Sequence, residues 1–465
     1  LAKRIAPLTL VLLLFMQPAF AQAPGKYNAI YSGTPWLDDK GNAVSAHGAN
    51  IIKEKNRYYL FGERHSDTSN AFVGFNCYSS PDLINWTFES IALPQQPSGK
   101  LGPNRVGERA KVMKCPATGE FIMYMHVDTI GYKDQFVGYA TAKRITGPYL
   151  FKGPLLFNGK PIKKWDMGTF QDKDGTGYVL LHGGDIYKLS NDFTSVTEQV
   201  NKAMERGFES PAIFRKDSLY YFLGSHLTGW ERNDNYYFTS RSLSGPWTQR
   251  GTFAPAGTLT WNSQTTFVLP IESEQDTLYM FMGDRWSYPK QASAATYVWQ
   301  PFTVQGDSLF LPQYLPAWKP GASNSAVTAL PITGETIQAA DQKIAYTGEW
   351  KQDTLAVRSA AIKGNTFTTT FTGTRILLYS LARPDGGYAG ITLRNSKDKQ
   401  ILHATVDMYS QYPTSTLSFA SPSLPRGTYT LQVTVLGENW YWTDKRNGRT
   451  GSKGYNISVE KIIVE

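Results

Sequence analysis

Five polar side chains hold equivalent places along the first two thirds of the chain. They are His47, Glu108, Asp166, Glu209 and Gln264, each just before or at the start of a short strand that opens a recurring unit. Each alone says little, but the shared register would bring three carboxyl groups, an imidazole and an amide to one converging rim. Cleavage of a glycosidic bond needs a proton donor for the departing oxygen and an activated water or nucleophile on the other face of the sugar. Glu209, in Phe208-Glu209-Ser210-Pro211, is the candidate acid. A carboxyl crowded by other carboxylates and by aromatic rings keeps its proton to higher pH. Asp166 is the neighbour that would tune it, and Glu108 is a second carboxyl at the same rim. Singly, each also fits a plainer role, a strand-end carboxylate that caps a turn or pairs with Arg109 or Arg206.

The elements that must position these groups repeat. A short strand, a polar or Gly-containing turn and an aromatic-rich return strand occur as Ala49–Ile52 with Tyr58–Phe61 and as Lys111–Met113 with Phe121–Tyr124. The same pair returns at Thr169-Phe170 with Tyr178–Leu181, Ala212–Phe214 with Leu219–Phe222, and Thr266–Leu269 with Leu278–Phe281. Such β-branched and aromatic runs around turn residues predict hairpins. Second hairpins follow around Ser80-Pro81-Asp82, Thr146-Gly147-Pro148 and Ser244-Gly245-Pro246. Two hairpins make a four-stranded sheet, and five such sheets in series predict a five-bladed β-propeller, whose opening strands line the axis.

Beyond this repeat the rhythm changes. Pro316, Pro320, Gly321 and Pro331 mark a linker, placed at residues 319–335. Alternating strands resume at Phe367–Leu381, Ala389–Arg394, Leu402–Met408, Thr428–Val435 and Ile457–Val464. They predict a separate antiparallel β-sandwich of jelly-roll type over 336–465, so the chain reads as all-β. The propeller is expected over 22–318. Residues 1–21 have the form of an export signal: Lys3 and Arg4, an apolar run from Leu8 to Met16, and Ala19-Phe20-Ala21 before Gln22. That run is too short to span a bilayer and no later one approaches the length, so an exported protein without a transmembrane segment is expected.

Composition agrees with an exported carbohydrate-active protein. Aromatics are many (14%) and charges few (18%), and the 27 Tyr and 12 Trp offer flat faces for the apolar side of a pyranose. The net charge of +9 comes from scattered residues, with no Lys/Arg block to track a phosphate backbone, which argues against nucleic acid. Cys77 and Cys115 are too few for a disulfide framework and could be one bridge or two buried thiols.

The same stretches resemble family 43 glycoside hydrolases, and most closely the exo-β-1,3-galactanase branch (subfamily 24). The resemblance runs from about Ser45 to Trp286, through Ala46-His47-Gly48-Ala49, Phe61-Gly62-Glu63, Glu108-Arg109-Ala110-Lys111-Val112 and Glu209-Ser210-Pro211. It continues in Ser225-His226-Leu227-Thr228-Gly229-Trp230, Thr260-Trp261-Asn262-Ser263-Gln264 and Met282-Gly283-Asp284-Arg285-Trp286. It implies an inverting enzyme in which Glu209 is the acid and Asp166 its modulator. The Asp base usual in the family is missing at Ala46-His47-Gly48, as it is in that branch, where residues matching Glu108 and Gln264 hold the water. A neutral amide is an extremely weak base, so Gln264 is expected to position the water, with a relay such as Glu108 for its proton. By the same resemblance Glu63, Tyr132, Gly229, Trp230 and Arg285 belong to the sugar-binding set. His226 fits a satisfied core histidine. No acidic loop has calcium-ligand spacing, so no cofactor or metal is expected.

The C-terminal part resembles galactose-binding-like sandwiches appended to glycosidases. Trp350, Trp440 and Trp442 fit either sugar platforms or core residues. The expected activity is release of galactose from the β-1,3-galactan backbone of arabinogalactan by a monomeric enzyme. The rivals are an arabinofuranosidase or galactofuranosidase of the same family, which would keep the Asp base, and a non-catalytic sugar-binding propeller.

Overall fold

A computed structural model describes residues 25–465 apart from 206, 273–275, 322–326, 354–355 and 444–447. The expected export signal (1–21) and Arg206 therefore lie outside the described residues. The chain is all-β, and its helical pieces among the described residues are short turns at Gly99–Leu101, His182–Gly184 and Leu259–Asn262. No helix there is long and apolar enough to cross a membrane.

The repeat corresponds to five sheets in series, antiparallel but for one parallel pairing, Phe157 with Val196, at the edge of the third. The first joins His47–Glu54, Arg57–Glu63, Gly74–Ser80 and Thr87–Pro94 in that order, and the second Arg105–Lys114, Phe121–Thr129, Phe136–Ala142 and Leu150–Pro154. The third runs from Met167–Gln171 through Gly177–Leu181 and Asp185–Leu189 to Val196–Asn201, and adds Leu156–Phe157 and Lys160–Pro161 at its far edge. The fourth holds Glu209–Lys216, Leu219–Ser225, Tyr236–Ser240 and Thr248–Thr252, and the fifth Gln264–Glu272, Thr277–Arg285 and Thr296–Pro301.

Alternation along each strand sends side chains to both faces, and each face finds a neighbouring sheet. Phe61 and Phe75 of the first sheet pack with Val112 and Met123 of the second. Ile122 and Tyr124 meet Val179 and Leu181 of the third, whose Leu180 and Ile186 meet Ile213 and Phe222 of the fourth. Phe214 and Tyr221 meet Val268 and Phe281 of the fifth, and the fifth returns to the first through Met280, Trp299, Ile51 and Leu60. Each such large side chain contributes about 1.5–3 kcal/mol by leaving water. The five opening strands adjoin one another in the same cyclic order, so residues at their starts converge.

The C-terminal residues form a four-stranded sheet (Glu335–Gln338, Lys461–Val464, Ile376–Ala382, Thr414–Ala420) and a five-stranded one (Ile344–Thr347, Thr366–Gly373, Gly427–Val435, Tyr388–Asn395, Gln400–Asp407). Their apolar faces share a core around Phe367, Leu378, Ile391, Phe419 and Val433, which also takes in Tyr27, Ala29 and Tyr31 from the start of the described chain. The Pro-rich stretch after the fifth sheet is partly structured: Ala317–Pro320 lies between Ile30–Tyr31 and Val327–Ala329 in a small sheet of its own. Cys77 and Cys115 are both buried free thiols.

Candidate active site

In the first, second and fourth sheets the opening strand slips register just after its rim residue, between His47 and Asn50, Glu108 and Lys111, and Glu209 and Ala212. The residue that follows takes a left-handed backbone: Gly48 (φ 62°), Arg109 (φ 54°) and Ser210 (φ 58°). Bulges of this kind re-aim side chains, and a left-handed non-glycine residue stores on the order of 1–3 kcal/mol that its surroundings must hold. Gly48 has no alternative, because a Cβ there would lie 2.3 Å from Oε1 of Glu63. Asp166 is itself left-handed (φ 34°) immediately before its strand.

The fifth sheet reaches the rim differently. Leu259, Thr260, Trp261 and Asn262 are all left-handed (φ 54°, 53°, 53° and 60°), a turn of the disfavoured hand that delivers Gln264. Arg285 braces it, donating from Nε to the Asn262 carbonyl at 3.1 Å and from Nη2 to the Trp261 carbonyl at 3.2 Å. Its Nη1 donates to the Gly33 carbonyl at 3.3 Å, so each of its three nitrogens donates to the main chain. Asp234 accepts the Leu259 amide at 2.8 Å, and the Thr260 hydroxyl accepts the Asn235 amide at 2.7 Å.

Arg109 is the hub of the rim. Its Nε pairs with Oδ1 of Asp166 at 3.0 Å, and its Nη2 donates to Oγ of Ser210 at 2.7 Å and to Oε1 of Gln264 at 2.9 Å. Its own amide donates to Oε1 of Glu63 at 2.8 Å. Asp166 also accepts the Ser210 amide at 3.0 Å. Gln264 Oε1 takes a second bond, from Nε1 of Trp286 at 2.9 Å. Both partners can only donate, which fixes the orientation of the amide. Its Nε2 then faces Oε1 of Glu209 at 3.2 Å and Oγ of Ser225 at 3.0 Å. The amide thus makes its full complement of four hydrogen bonds, all to protein groups.

The carboxyls divide into a protonated and two ionised ones. Burial, and then the charge of Asp166, push Glu209 well above the usual carboxylate range, with Arg109 opposing. Burial would raise Asp166 too, but the Arg109 guanidinium, with His126 and His182, outweighs it and holds Asp166 low. Burial is likewise outweighed at Glu108, which is held low by His126 (Nδ1 to Oε2, 2.9 Å), the Tyr132 hydroxyl (2.6 Å) and the Asn70 amide (3.0 Å). Burial works against a charge on His126, yet its contacts with Asp128 and Glu108 push it up to about 9. Glu108, His126 and Asp166 lie close enough to share a metal ion, and an ion bound there would have to displace the proton that Asp128 and Glu108 hold on His126.

The structure therefore joins Glu209, Gln264 and Asp166 through Arg109, and sets Glu108 and Tyr132 beside them. Glu63 is buried under Arg109 and near Nε2 of His65 (3.1 Å). His47 is wholly buried, with Nδ1 3.2 Å from Asp284 and its ring stacked on Tyr297 at 4.3 Å. Gly229 and Trp230 lie on the loop after Ser225, where Trp230 meets Tyr288 at 5.0 Å. His226 is not a core histidine: it is exposed on that loop, stacked on Tyr236 at 4.5 Å, because the strand ends at Ser225. An open cleft of about 770 Å³ between Tyr221, Arg241, Arg250 and Asp307 lies at the other end of the fourth sheet's opening strand from Glu209. Arg109 as hub, His126, Ser210, Ser225 and Trp286 were not foreseen. For Arg109 and Ser210 the signal was present, since each follows a rim carboxyl in the same register.

The family model for glycosyl hydrolases family 43 matches residues 43–288. A candidate exo-beta-1,3-galactanase from Bifidobacterium bifidum s17 is 35% identical, with a TM-score of 0.57, over 61% of this chain and 96% of its own. The exo-beta-1,3-galactanase of Phanerochaete chrysosporium, solved with galactose, is 27% identical, with a TM-score of 0.69, over 94% of this chain and all of its own. An arabinoxylan arabinofuranohydrolase of Bacillus subtilis (strain 168) is 25% identical over 256 residues, 45% of this chain and 48% of that protein. The chain spans about half the length of the curated relatives it matches.

Proposed function

The chain belongs to glycosyl hydrolases family 43 and is a glycoside hydrolase, and from that premise we propose that it releases galactose from the ends of β-1,3-galactan backbones of arabinogalactan, with inversion. The observation that carries the mechanism is a carboxyl that keeps its proton, Glu209, beside an ionised one, Asp166. Two carboxyls whose environments drive them apart are suited to acid and modulator roles. Glu209 protonates the leaving glycosidic oxygen. Glu108, ionised, accepts from the attacking water, and Gln264, whose Nε2 bonds Glu209 and Ser225 in the free protein, positions that water once substrate draws the Glu209 carboxyl to the glycosidic oxygen. Glu63, Tyr132, Gly229 and Trp230 border the terminal sugar, and Arg285 acts by bracing the turn that carries Gln264.

The choice of galactan is supported by solved relatives described as exo-beta-1,3-galactanases that align over nearly the whole chain. We read the five sheets as blades of a β-propeller over 22–318, followed by the 319–335 connection and a β-sandwich over 336–465, in an exported, monomeric protein. A second reading, cleavage of arabinofuranosides or galactofuranosides, is favoured by the names of the curated relatives.

The test is product release from debranched β-1,3-galactan by the wild type and by Glu209→Gln, with anomers followed by proton NMR. α-Galactose should appear first, and the variant should lose about 10²–10⁴-fold in rate. Release from arabinofuranosyl or galactofuranosyl glycosides instead would keep the acid and change the substrate.

A further inference from the structure

The loop between Ser225 and Tyr236 carries Gly229 and Trp230 and passes close to Glu209. It is tied to itself by Asn233, whose Oδ1 accepts the His226 amide at 3.2 Å and whose Nδ2 donates to Oγ1 of Thr228 at 2.7 Å. The Thr228 amide, which donates to the His226 carbonyl at 3.0 Å, also reaches the Glu209 carboxyl and favours its ionised form. The outer side of this loop is held by residues that connect the C-terminal strands and by the short strand Tyr441–Thr443. The Trp442 ring lies so close to Gly229 that a Cβ there would stand 2.5 Å from it. The Tyr409 hydroxyl donates to Oε2 of Glu231 at 2.8 Å, and Gln411 donates to the Arg232 carbonyl at 2.8 Å.

A second route starts at the same face. The Arg232 guanidinium lies 5.3 Å from the Tyr409 ring and 4.7 Å from the Trp440 ring, which stack on each other. Its Nη2 donates to the carbonyl of Trp286 at 2.7 Å, and the Trp286 indole donates to Gln264. Two chains of contact thus run from one face of the C-terminal domain, to Glu209 and to Gln264.

We infer that the C-terminal domain completes the active site, with Trp442 as a positioning residue that seats the Thr228–Glu231 loop against Glu209. The inference rests on Glu209 acting as the acid. Trp442 and Trp440 are then structural parts of the catalytic unit rather than free platforms of an independent sugar-binding module. Trp440 is wholly buried.

The test compares full-length Trp442→Ala and Trp442→Phe with the wild type, using whichever glycoside the wild type hydrolyses, across pH. The groups facing Glu209 are Asp166, Arg109, Gln264 and the Thr228 amide, with the Tyr236 hydroxyl within electrostatic reach. Loosening the loop weakens the hold of the Thr228 amide on the Glu209 carboxyl. Trp442→Ala should lower kcat by about ten- to a hundredfold and move the alkaline limb of kcat to higher pH, because Glu209 holds its proton longer. Trp442→Phe should recover most of both. Amide exchange of residues 226–233 should quicken in the Ala variant, a readout that needs no substrate. A pH profile and exchange pattern that superimpose on the wild type would overturn the inference. If Trp442→Ala does not fold, Tyr409→Phe, which removes only the hydroxyl bonded to Glu231, carries the same comparison. Wild-type inactivity on galactan would refute the proposed substrate, whereas unchanged loop exchange would refute the positioning role.

Discussion

The residue that organises the chemistry is Arg109, because one guanidinium and its amide touch Asp166, Gln264, Ser210 and Glu63. Its charge keeps Asp166 ionised, and the ionised Asp166 in turn helps keep Glu209 protonated. Asp166→Asn removes that like charge, so Glu209 should lose its proton at lower pH. The alkaline limb of kcat/KM should shift to lower pH, the opposite direction to Trp442→Ala, and a pH–rate profile checks it. This relation between three side chains was half legible. The types and register of Asp166 and Glu209 predicted modulator and acid, but the sequence marks Arg109 only as an ion-pair partner of a strand-end carboxylate, not as the cation that couples the two. A side chain's reach across the axis follows from which strands adjoin, and no local pattern states that.

At the scale of the element, the bulge after His47, Glu108 and Glu209 sets the aim of the side chain. Gly48→Ala would force a Cβ against Glu63 and the Arg109 backbone at a left-handed position. It should cost about 1–3 kcal/mol, read as a lower midpoint in denaturant. The opening strand of the second sheet also carries Lys111, wholly buried, whose Nζ bonds the carbonyls of Gly48 (2.5 Å) and Ala49 (2.8 Å) and Oγ1 of Thr266 (3.2 Å). It therefore ties the first, second and fifth opening strands together. Burial, then the nearby charge of Arg109, bring it down to about 7 from 10.5. The unfolded chain binds the proton more tightly between these values, so this group's contribution to stability rises with pH from about 7 to 10. The stability difference between wild type and Lys111→Met, measured by denaturant titration, should widen over that range. The hairpins themselves were plain in the sequence, since aromatic and β-branched runs around turns specify them locally. The left-handed turn over Leu259–Asn262 was not, because Leu, Thr and Trp have no propensity for it and contacts from residues distant in the chain, among them Arg285, Asp234, Asn235 and Leu311, hold it there.

For the whole molecule, the contact between the two β regions includes Asp407, which accepts from Ser287 at 2.9 Å and lies 4.0 Å from Arg232. Burial, only partly offset by Arg232, raises Asp407 from 3.8 to about 6. A raised folded value means stability that is full below about pH 4 and is lost as pH rises through 6. Asp407→Asn should flatten that slope, which thermal melts between pH 4 and 7 would show.

The sequence by itself determined the hairpins of the five repeated units, the change of rhythm near Leu315, the family, and which ionisable types stand at the start of each opening strand. Those features are local or periodic, and alternation with turn chemistry encodes them directly. The same alternation ran Phe367–Leu381 together, where the structure has Thr366–Gly373 and Ile376–Ala382 in different sheets. Only the tertiary structure decided that His47 is wholly buried against Asp284 and Tyr297, that Arg285 braces the turn before Gln264, and that Gln264 has every hydrogen-bonding position filled. It also decided that Trp442 meets Gly229, more than two hundred residues away in the chain. Those outcomes depend on which distant surfaces meet, and burial and pairing of a polar side chain are set by that meeting.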